Sequence, residues 1–472
     1  MKLFRVHGGV HPEGRKDATR DKAAEVLPLG AEIILPLQQH IGAPARPVVE
    51  AGERVLKGQL VAEASGPVSA AIHASTSGTV AEIGLFAVPH PSGLAGPAIR
   101  ILPDGLDEWT EPMRPLAPDA EPAAIADRVA QAGIVGMGGA TFPSAVKLHL
   151  RDRLALHTLV MNGAECEPFL TCDDRLMREH ADKVAAGVAL MARALGVDRT
   201  RIAIETNKPE AAAAMTEAVK AFPGIAVVRV PTRYPMGSEK HLVQTLTGIE
   251  TPARALTADM GVVVHNIATA FAVAEAALDG RPLVDRLVTV SGSAVARPAN
   301  LRVRIGTPVA EVIAFCGGLV AEPERILAGG PMMGQPLASL DIPTVKGMNG
   351  ILALTPADTR RGPARSCLRC GTCVSVCPCG LVPMEIAARI RADDLAGAAA
   401  EGVLDCIGCG SCAYACPSRI PLTQTFAFAK GRLAAEQRAK ARDETIRRLV
   451  QSKAQRQERL AARRRATGSE LP

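Results

Sequence analysis

Two cysteine runs near the carboxyl-terminal end hold the clearest chemistry in this 472-residue chain. The first reads Cys367-x-x-Cys370-x-x-Cys373-x-x-x-Cys377-Pro378, and the second Cys406-x-x-Cys409-x-x-Cys412-x-x-x-Cys416-Pro417. Three thiolates at two-residue gaps wrap one corner of an iron–sulfur cube, and a fourth, three residues further on, points away to ligate the other cube. The spacing predicts two 4Fe–4S clusters closed by exchange: Cys367, Cys370 and Cys373 with Cys416, and Cys406, Cys409 and Cys412 with Cys377. Gly371 and Gly410 let the backbone pass close to a cluster, and Pro378 and Pro417 end each run so that the fourth ligand is aimed separately. Structural zinc favours paired ligands rather than a triplet followed by Cys-Pro. A disulfide set at this density belongs to small secreted domains, whereas this chain is long and opens without a signal-peptide pattern. Cys379, just past Pro378, reads as a non-ligand. Cys316 reads as a buried packing residue; Cys166 and Cys172 flank residues 169–171 closely enough for a redox pair, with plain packing the favoured reading in a reducing compartment.

The length predicts three or four domains to carry such a relay. Aromatic residues make up only 3% of the chain, which argues against a nucleic-acid stacking surface. The net charge of +6 is uneven: residues 430–465 hold thirteen Lys/Arg against four Asp/Glu, a local +9 that leaves −3 elsewhere. The basic character therefore belongs to a tail, a long charged helix suited to acidic partner subunits or anionic headgroups, and not to a DNA-binding fold. The most apolar stretch, residues 261–278, is interrupted by His265, Asn266 and Glu275. It predicts a strand followed by a buried helix, in a chain that is not itself an integral membrane protein.

Residues 7–12 are turn-rich and a charged segment follows to Lys22. Residues 31–83 show short alternating strands with Gly turns, similar to the flattened barrel of biotinyl/lipoyl-type domains. The hairpin at 66–70 lacks the modifiable Lys of those domains, so a packing module is expected. A Pro-rich linker at 103–122 closes it. Helix–strand alternation then takes over, with helices expected at 123–132, 144–154, 179–195, 209–222 and 267–278. Strands are expected at 158–161, 201–206, 226–230 and 260–264, an α/β sheet covered on both faces. Strands return at 287–292 and 301–306, with a helix at 309–316.

Two loops in the α/β stretch carry candidate chemistry. Gly136-Met137-Gly138-Gly139-Ala140-Thr141-Phe142-Pro143 opens onto a helix, where backbone N–H groups can approach an anion and Lys147 adds a charge one turn in. By itself the pattern serves equally as a tight structural turn. Asn162-Gly163-Ala164-Glu165-Cys166-Glu167-Pro168 puts two carboxylates at a strand's carboxyl end, where α/β sheets bind ligands.

With residues 7–12 and the two-cluster segment, the order of these motifs resembles the C subunit of the Rnf ion-translocating electron transport complexes. The flavin domain of that family is related to the NADH-binding subunit of respiratory complex I. The resemblance covers nearly the whole chain. It implies a multidomain α/β plus β architecture: a barrel-sandwich module at 1–112, a Rossmann-like FMN/NADH domain at 113–281, a β-grasp module at 282–345, a bacterial-type two-cluster ferredoxin domain at 346–429 and a basic helical tail at 430–472. It implies that Gly136, Gly138, Gly139 and Lys147 hold the phosphate of a non-covalent FMN. Asn162 and Glu165 would line the isoalloxazine, and Glu167 would sit near the nicotinamide of NAD(H), the two carboxylates being the catalytic candidates. Tyr234, Gly237, Ser238 and Glu239 correspond to a second flavin stretch, and Asn266 and Thr269 to a third. Ala164 departs from the complex I relative, which is acidic there. The expected activity is peripheral electron input from NADH through FMN and the clusters to membrane partner subunits, and onward to ferredoxin, or the reverse. The expected place is the cytoplasmic face of the bacterial inner membrane, with no nucleic-acid partner. A nucleotide-free iron–sulfur relay or scaffold, and a soluble diaphorase subunit, remain open as other readings.

Overall fold

The computed structural model describes residues 3–117, 119–359 and 362–466, with side chains through 463. The chain divides into two compact units, Met1–Pro363 and Ala364–Pro472. Pro118 of the expected linker and the last six residues of the expected tail lie outside the described residues.

The barrel at the start of the first unit is built from strands too short to be stable alone. Ile33–Pro36, Gly96–Pro103, Gly78–Phe86 and Arg54–Val55 form an antiparallel sheet in that order. Arg46–Pro47, Leu60–Glu63 and Ile72–His73 form a second. Alternate residues of both sheets, Ile33, Leu35, Val55, Val80, Ile99 and Ile101 with Val61 and Ile72, fill one core, as period-2 strands packed face to face require. The strand Gly96–Pro103 lies beyond the run of strands expected from the sequence. The Pro-rich segment after it is a bonded seam. Lys57 N donates to Glu108 O (2.8 Å) on one side, and Met113 N and Leu116 N donate to Gly280 O (3.0 Å) and Ala277 O (2.8 Å) on the other. The Trp109 ring lies under the Lys57 ammonium and the Arg281 guanidinium at 4.8 and 5.3 Å, close enough for cation–π attraction.

In the α/β domain the parallel order is Ile225–Val230, Arg199–Glu205, Thr158–Gly163, Val262–Asn266. Side chains alternate between the faces of a strand. Leu159 and Met161 pack with the helices Pro122–Gln131, Ala181–Leu195 and Ile267–Leu278. Val160, Val262 and Val264 pack against Leu242, Val243 and Leu246 of the helix Glu239–Thr247. That helix and another, Cys172–Glu179, were not foreseen. Cys172–Glu179 buries Asp173, Asp174 and Arg175, so it has no apolar stripe to announce it. The helix expected at 144–154 is an α-helical turn, Ser144–Leu148, continued by the 3-10 turn His149–Asp152.

The grasp-like module is a six-stranded sheet with the helix Val309–Phe315 packed through Val309, Val312 and Ile313 onto Val288, Val290, Leu301 and Val303. Its membership moves two expected boundaries. Glu25–Val26, from the segment assigned to the barrel, pairs in parallel with Ala299–Arg304. Gly350–Leu354, assigned to the ferredoxin domain, pairs with Asp285–Ser291 and Arg325–Ala328. The second compact unit therefore starts at Ala364 rather than 346. All five residues of Gly350–Leu354 are buried, and such a strand satisfies its backbone only inside a sheet.

One buried lysine joins three of these modules. Lys346 is fully buried, and its Nζ donates to Gly133 O (2.7 Å) of the α/β domain and to Ala71 O of the barrel. Burial lowers its pKa from 10.5 to about 7. Between those values the unfolded chain binds the extra proton, so the contribution of this lysine to stability rises with pH from about 7 to 10.5 and is constant outside that window. Lys346→Met is expected to abolish this rise, read as the shift in Tm of variant and wild type between the two ends of the window.

The second unit repeats one motif. The short helices Thr372–Ser375 and Ser411–Ala415 each begin at a left-handed glycine, Gly371 (φ +75°) and Gly410 (φ +77°). The equivalent positions Arg369 (φ +52°) and Gly408 (φ +69°) are left-handed too. The helix Pro383–Arg391 packs Ile386, Ala387 and Ile390 with Leu422, Phe426 and Ala429. Those last three belong to the 45-residue helix Leu422–Ala466. The tail is thus no separate element from 430: it continues, exposed, a helix rooted in the core of the unit. Among the described residues no helix is long and apolar enough to cross a membrane.

Candidate functional site

Thr158–Gly163 and Val262–Asn266 are adjacent parallel strands at the point where the strand order reverses, and the carboxyl ends at such a point are where α/β sheets frame a ligand crevice. Asn162 and Asn266 stand side by side across it. Asn266 caps the helix Ile267–Leu278 by accepting from Ala268 N (2.8 Å), and its amide donates to Asp173 Oδ2 (2.7 Å). Thr269, one turn in, accepts Met137 N (3.0 Å) and so pins the glycine loop over the helix start. Gly136 N donates to Phe142 O (2.8 Å), closing that loop. A methyl on Gly138 would lie 3.2 Å from Asn266 Cβ, so only glycine lets the backbone pass there without displacing it. Gly139 has φ +113°, with nothing within 4 Å on its side-chain side. Lys147 donates to Glu239 Oε2 (3.2 Å) and Val264 O (3.0 Å), and Asn162 donates to Gly237 O (2.8 Å). Gly237 N in turn points at Cys166 Sγ (3.3 Å). Ser238 lies within reach of His241 Nδ1 (3.3 Å) at the start of Glu239–Thr247. The three stretches picked from the sequence thus meet in pairs. Tyr234 is buried, 1% exposed, and its backbone pairs with Val10.

The carboxylate loop is more occupied than its sequence suggests. Glu165 Oε1 accepts Asp173 N (2.7 Å), while Oε2 is buried without a hydrogen bond, 3.9 Å from Lys16 Nζ. Burial pushes the Glu165 carboxyl up, and the Lys16 and Lys208 charges only partly oppose it. Glu165, Cys172 and Asp173 bring their ligand atoms within 4.8 Å of one another. Glu167 was expected beside the nicotinamide. Its oxygens accept Met332 N and Met333 N, both at 2.9 Å, from the Gly-rich turn of the grasp module. Burial raises its carboxyl to about 7 despite those two donors. Gly330 has to be glycine here, since a methyl would fall 2.4 Å from Glu167 Oε2. Ala164 is fully buried among Val160, Ala203 and Val264, where an acidic side chain would be desolvated, and its carbonyl accepts Lys208 Nζ (2.7 Å). Lys16, Lys208 and Asp173 were missed. Lys16 sits in a charged run that reads as surface, and no spacing rule connects it to residue 165.

In the second unit, one hollow is lined by Cys367, Cys370, Cys373 and Cys416, with Met384 and Leu422. Another is lined by Cys406, Cys409, Cys412 and Cys377, with Cys379 and Phe426. Arg369 N and Gly408 N each point at a thiol, Cys367 Sγ and Cys406 Sγ, at 3.4 Å. Thr372 and Ser411 hydroxyls sit 3.4 Å from Cys370 and Cys409. Four soft donors round an apolar hollow, with backbone N–H groups aimed at sulfur, are what an iron–sulfur cube requires.

Comparison with known families divides the chain in the same way. Residues 4–106 match the RnfC barrel sandwich hybrid domain, 129–275 the Nuo51 FMN-binding domain, 287–336 the SLBB domain and 361–442 a 4Fe–4S dicluster domain. The C subunit of the ion-translocating oxidoreductase complex of Rhodobacter capsulatus is 59% identical over 442 residues, covering 93% of this chain and 85% of that protein. Its counterpart in Pseudomonas aeruginosa is 46% identical over 93% of this chain and 57% of its own length. The C subunit of the proton-translocating ferredoxin:NAD(+) oxidoreductase complex of Clostridium ljungdahlii is 46% identical over 388 residues, 81% of this chain and 83% of that protein. With a flavin-type crevice, two four-thiol cavities and these relatives, the chain belongs to the RnfC family, the C subunits of ion-translocating oxidoreductase complexes, and is an electron-transfer subunit with FMN and two 4Fe–4S clusters as cofactors.

Proposed function

We propose that the chain is the electron-input subunit of a membrane-bound NADH:ferredoxin oxidoreductase, peripheral on the cytoplasmic face and attached through partner subunits. The observation that carries this reading is one chain holding both an FMN-type crevice at a sheet switch point and two cavities of four thiols. Bound FMN would exchange electron pairs with NAD(H) and single electrons with the clusters. The chain's own residues supply placement. The backbone of Gly136, Gly138 and Gly139 would meet the phosphate, with Lys147 held nearby by Glu239. Asn162, Glu165 and Gly237 would border the ring system. Glu167 acts as a positioning group, since both its oxygens are engaged by Met332 N and Met333 N. Cys367, Cys370, Cys373 and Cys416 would ligate one cluster, and Cys406, Cys409, Cys412 and Cys377 the other. The exposed basic helix would dock on acidic partner surfaces.

Anaerobic reconstitution tests this reading. One FMN and about eight irons per chain, with visible bands bleached by NADH, are the expected result. Eight irons with no flavin uptake and no response to NADH would reduce the chain to a one-electron wire.

A further inference from the structure

Residues 4–22 reach the site from outside the flavin domain and run along it. Phe4 N donates to Thr245 O (2.9 Å), Val10 and Tyr234 exchange two backbone bonds (2.8 and 2.9 Å), and Phe169 N donates to Gly14 O (2.8 Å). Gly9, at φ +87°, passes so close to Arg233 and Tyr234 that a methyl would fall 2.6 and 2.8 Å from their atoms. The Thr19 hydroxyl meets that of Thr171 at 2.7 Å. The arm therefore touches both the second flavin stretch and the carboxylate loop.

At its centre lies Lys16. Its Nζ is 3.0 Å from Glu165 O, 2.9 Å from Glu167 O and in contact with Leu170 O. An ammonium has three N–H donors, so these carbonyls use all of them and none is left for a ligand. Three carbonyls converge on one point only because the loop doubles back twice, at Glu165 (φ +47°) and Phe169 (φ +67°). Both are non-glycine residues in the left-handed region, a conformation that persists where the surroundings enforce it. Lys208 takes the preceding carbonyl, Ala164 O, at 2.7 Å. With its carbonyls turned toward the two lysines, the loop engages its side chains elsewhere as well: Glu165 Oε1 accepts Asp173 N while Oε2 stays 3.9 Å from Lys16 Nζ, and Glu167 accepts the Met332 and Met333 amides.

We infer that Lys16 is a positioning residue of the flavin site: by gathering the carbonyls of Glu165, Glu167 and Leu170 it sets the loop in its cofactor-binding shape before the cofactor arrives. The inference rests on the reading that residues 162–167 border FMN. It gives the amino-terminal arm a role in the flavin domain, whose family match begins only at residue 129.

The test uses the full chain with its clusters reconstituted, comparing wild type, Lys16→Met and Lys16→Arg. Two quantities are read: amide hydrogen exchange at 165–171 in FMN-free protein, and the Kd for FMN from quenching of flavin fluorescence. Lys16→Met keeps the length of the side chain and removes every donor. It is expected to speed exchange at 165–171 and to weaken FMN binding, each by about tenfold or more. Iron content and exchange along Thr158–Gly163 should stay as in wild type. Lys16→Arg keeps a charge beside Glu165 and so keeps the fold, yet its planar fork cannot bring three N–H groups to one point. It should fall between the other two on both readouts. Wild-type exchange and wild-type Kd in both variants would overturn the inference. Faster exchange at 165–171 alongside a wild type that takes up no FMN would uphold the clamp and overturn the flavin reading.

Discussion

Alanine at Cys416 is expected to strip the cluster of the first cysteine run, although Cys416 belongs to the second. The reason is geometric: Cys416 lines the cavity of Cys367, Cys370 and Cys373, whereas Cys377 lines that of Cys406, Cys409 and Cys412. Each single variant should keep about four of about eight irons. Combinations decide between exchange and sequential pairing. Cys370→Ala with Cys416→Ala should lose no more iron than either alone, because both disable one cluster. Cys370→Ala with Cys377→Ala should lose both clusters. Sequential pairing predicts the reverse. Since Cys379 lines the second cavity as well, the Cys377 variants are best made with Cys379→Ala, which removes the one thiol positioned to substitute. Iron counts and the low-temperature EPR signals of the reduced protein are the readouts.

Lys208→Ala is expected to be the most destabilising single change in the first unit. Lys208 is 2% exposed and holds Ala164 O at 2.7 Å, Asn207 Oδ1 at 3.1 Å and Glu205 Oε2 at 3.3 Å. Glu205 is itself 1% exposed. Removing the ammonium leaves a buried carboxylate without its cation and a buried carbonyl without a donor, a loss on the order of 3–5 kcal/mol. Urea denaturation of the full chain at neutral pH would read it. Adding Glu205→Gln should restore a large part, because the uncompensated charge is then gone. Burial already raises the Glu205 carboxyl, so acid neutralises it readily. The deficit of the single variant should shrink as pH falls, and a deficit independent of pH would show that lost packing, not charge, dominates.

The legible parts of this protein are those whose spacing encodes geometry. An α/β sheet covered on both faces follows from helix–strand alternation, whereas the return of Val262–Asn266 to the open side of Thr158–Gly163 does not. Leu159 and Met161 against Val160 show the period of 2 that places helices on both faces. Less legible were elements whose partners are remote. Cys172–Glu179 is a helix with part-buried ion pairs, Arg175–Glu179 and Arg178–Asp174, and a bond from Asn266, ninety-three residues on from Asp173, and its composition alone reads as loop. Gly350–Leu354 looks like a lead-in to the cysteines until its pairing with Asp285–Ser291 is seen.

The candidate site divides in the same way. Sequence alone determined the two thiol runs and the glycine positions of the loop at 136–139, and their spacing predicts the exchange of fourth ligands. Thiolate spacing and left-handed backbone are local requirements that residue types express directly. Only the tertiary structure decided that Glu167 accepts the Met332 and Met333 amides, that Ala164 fills a core position, and that Lys16 and Lys208 hold one loop from two sides. Those outcomes depend on which distant segment satisfies a buried carbonyl or carboxylate. That choice is made by burial and hydrogen-bond completion across the fold, and no local pattern of residues records it.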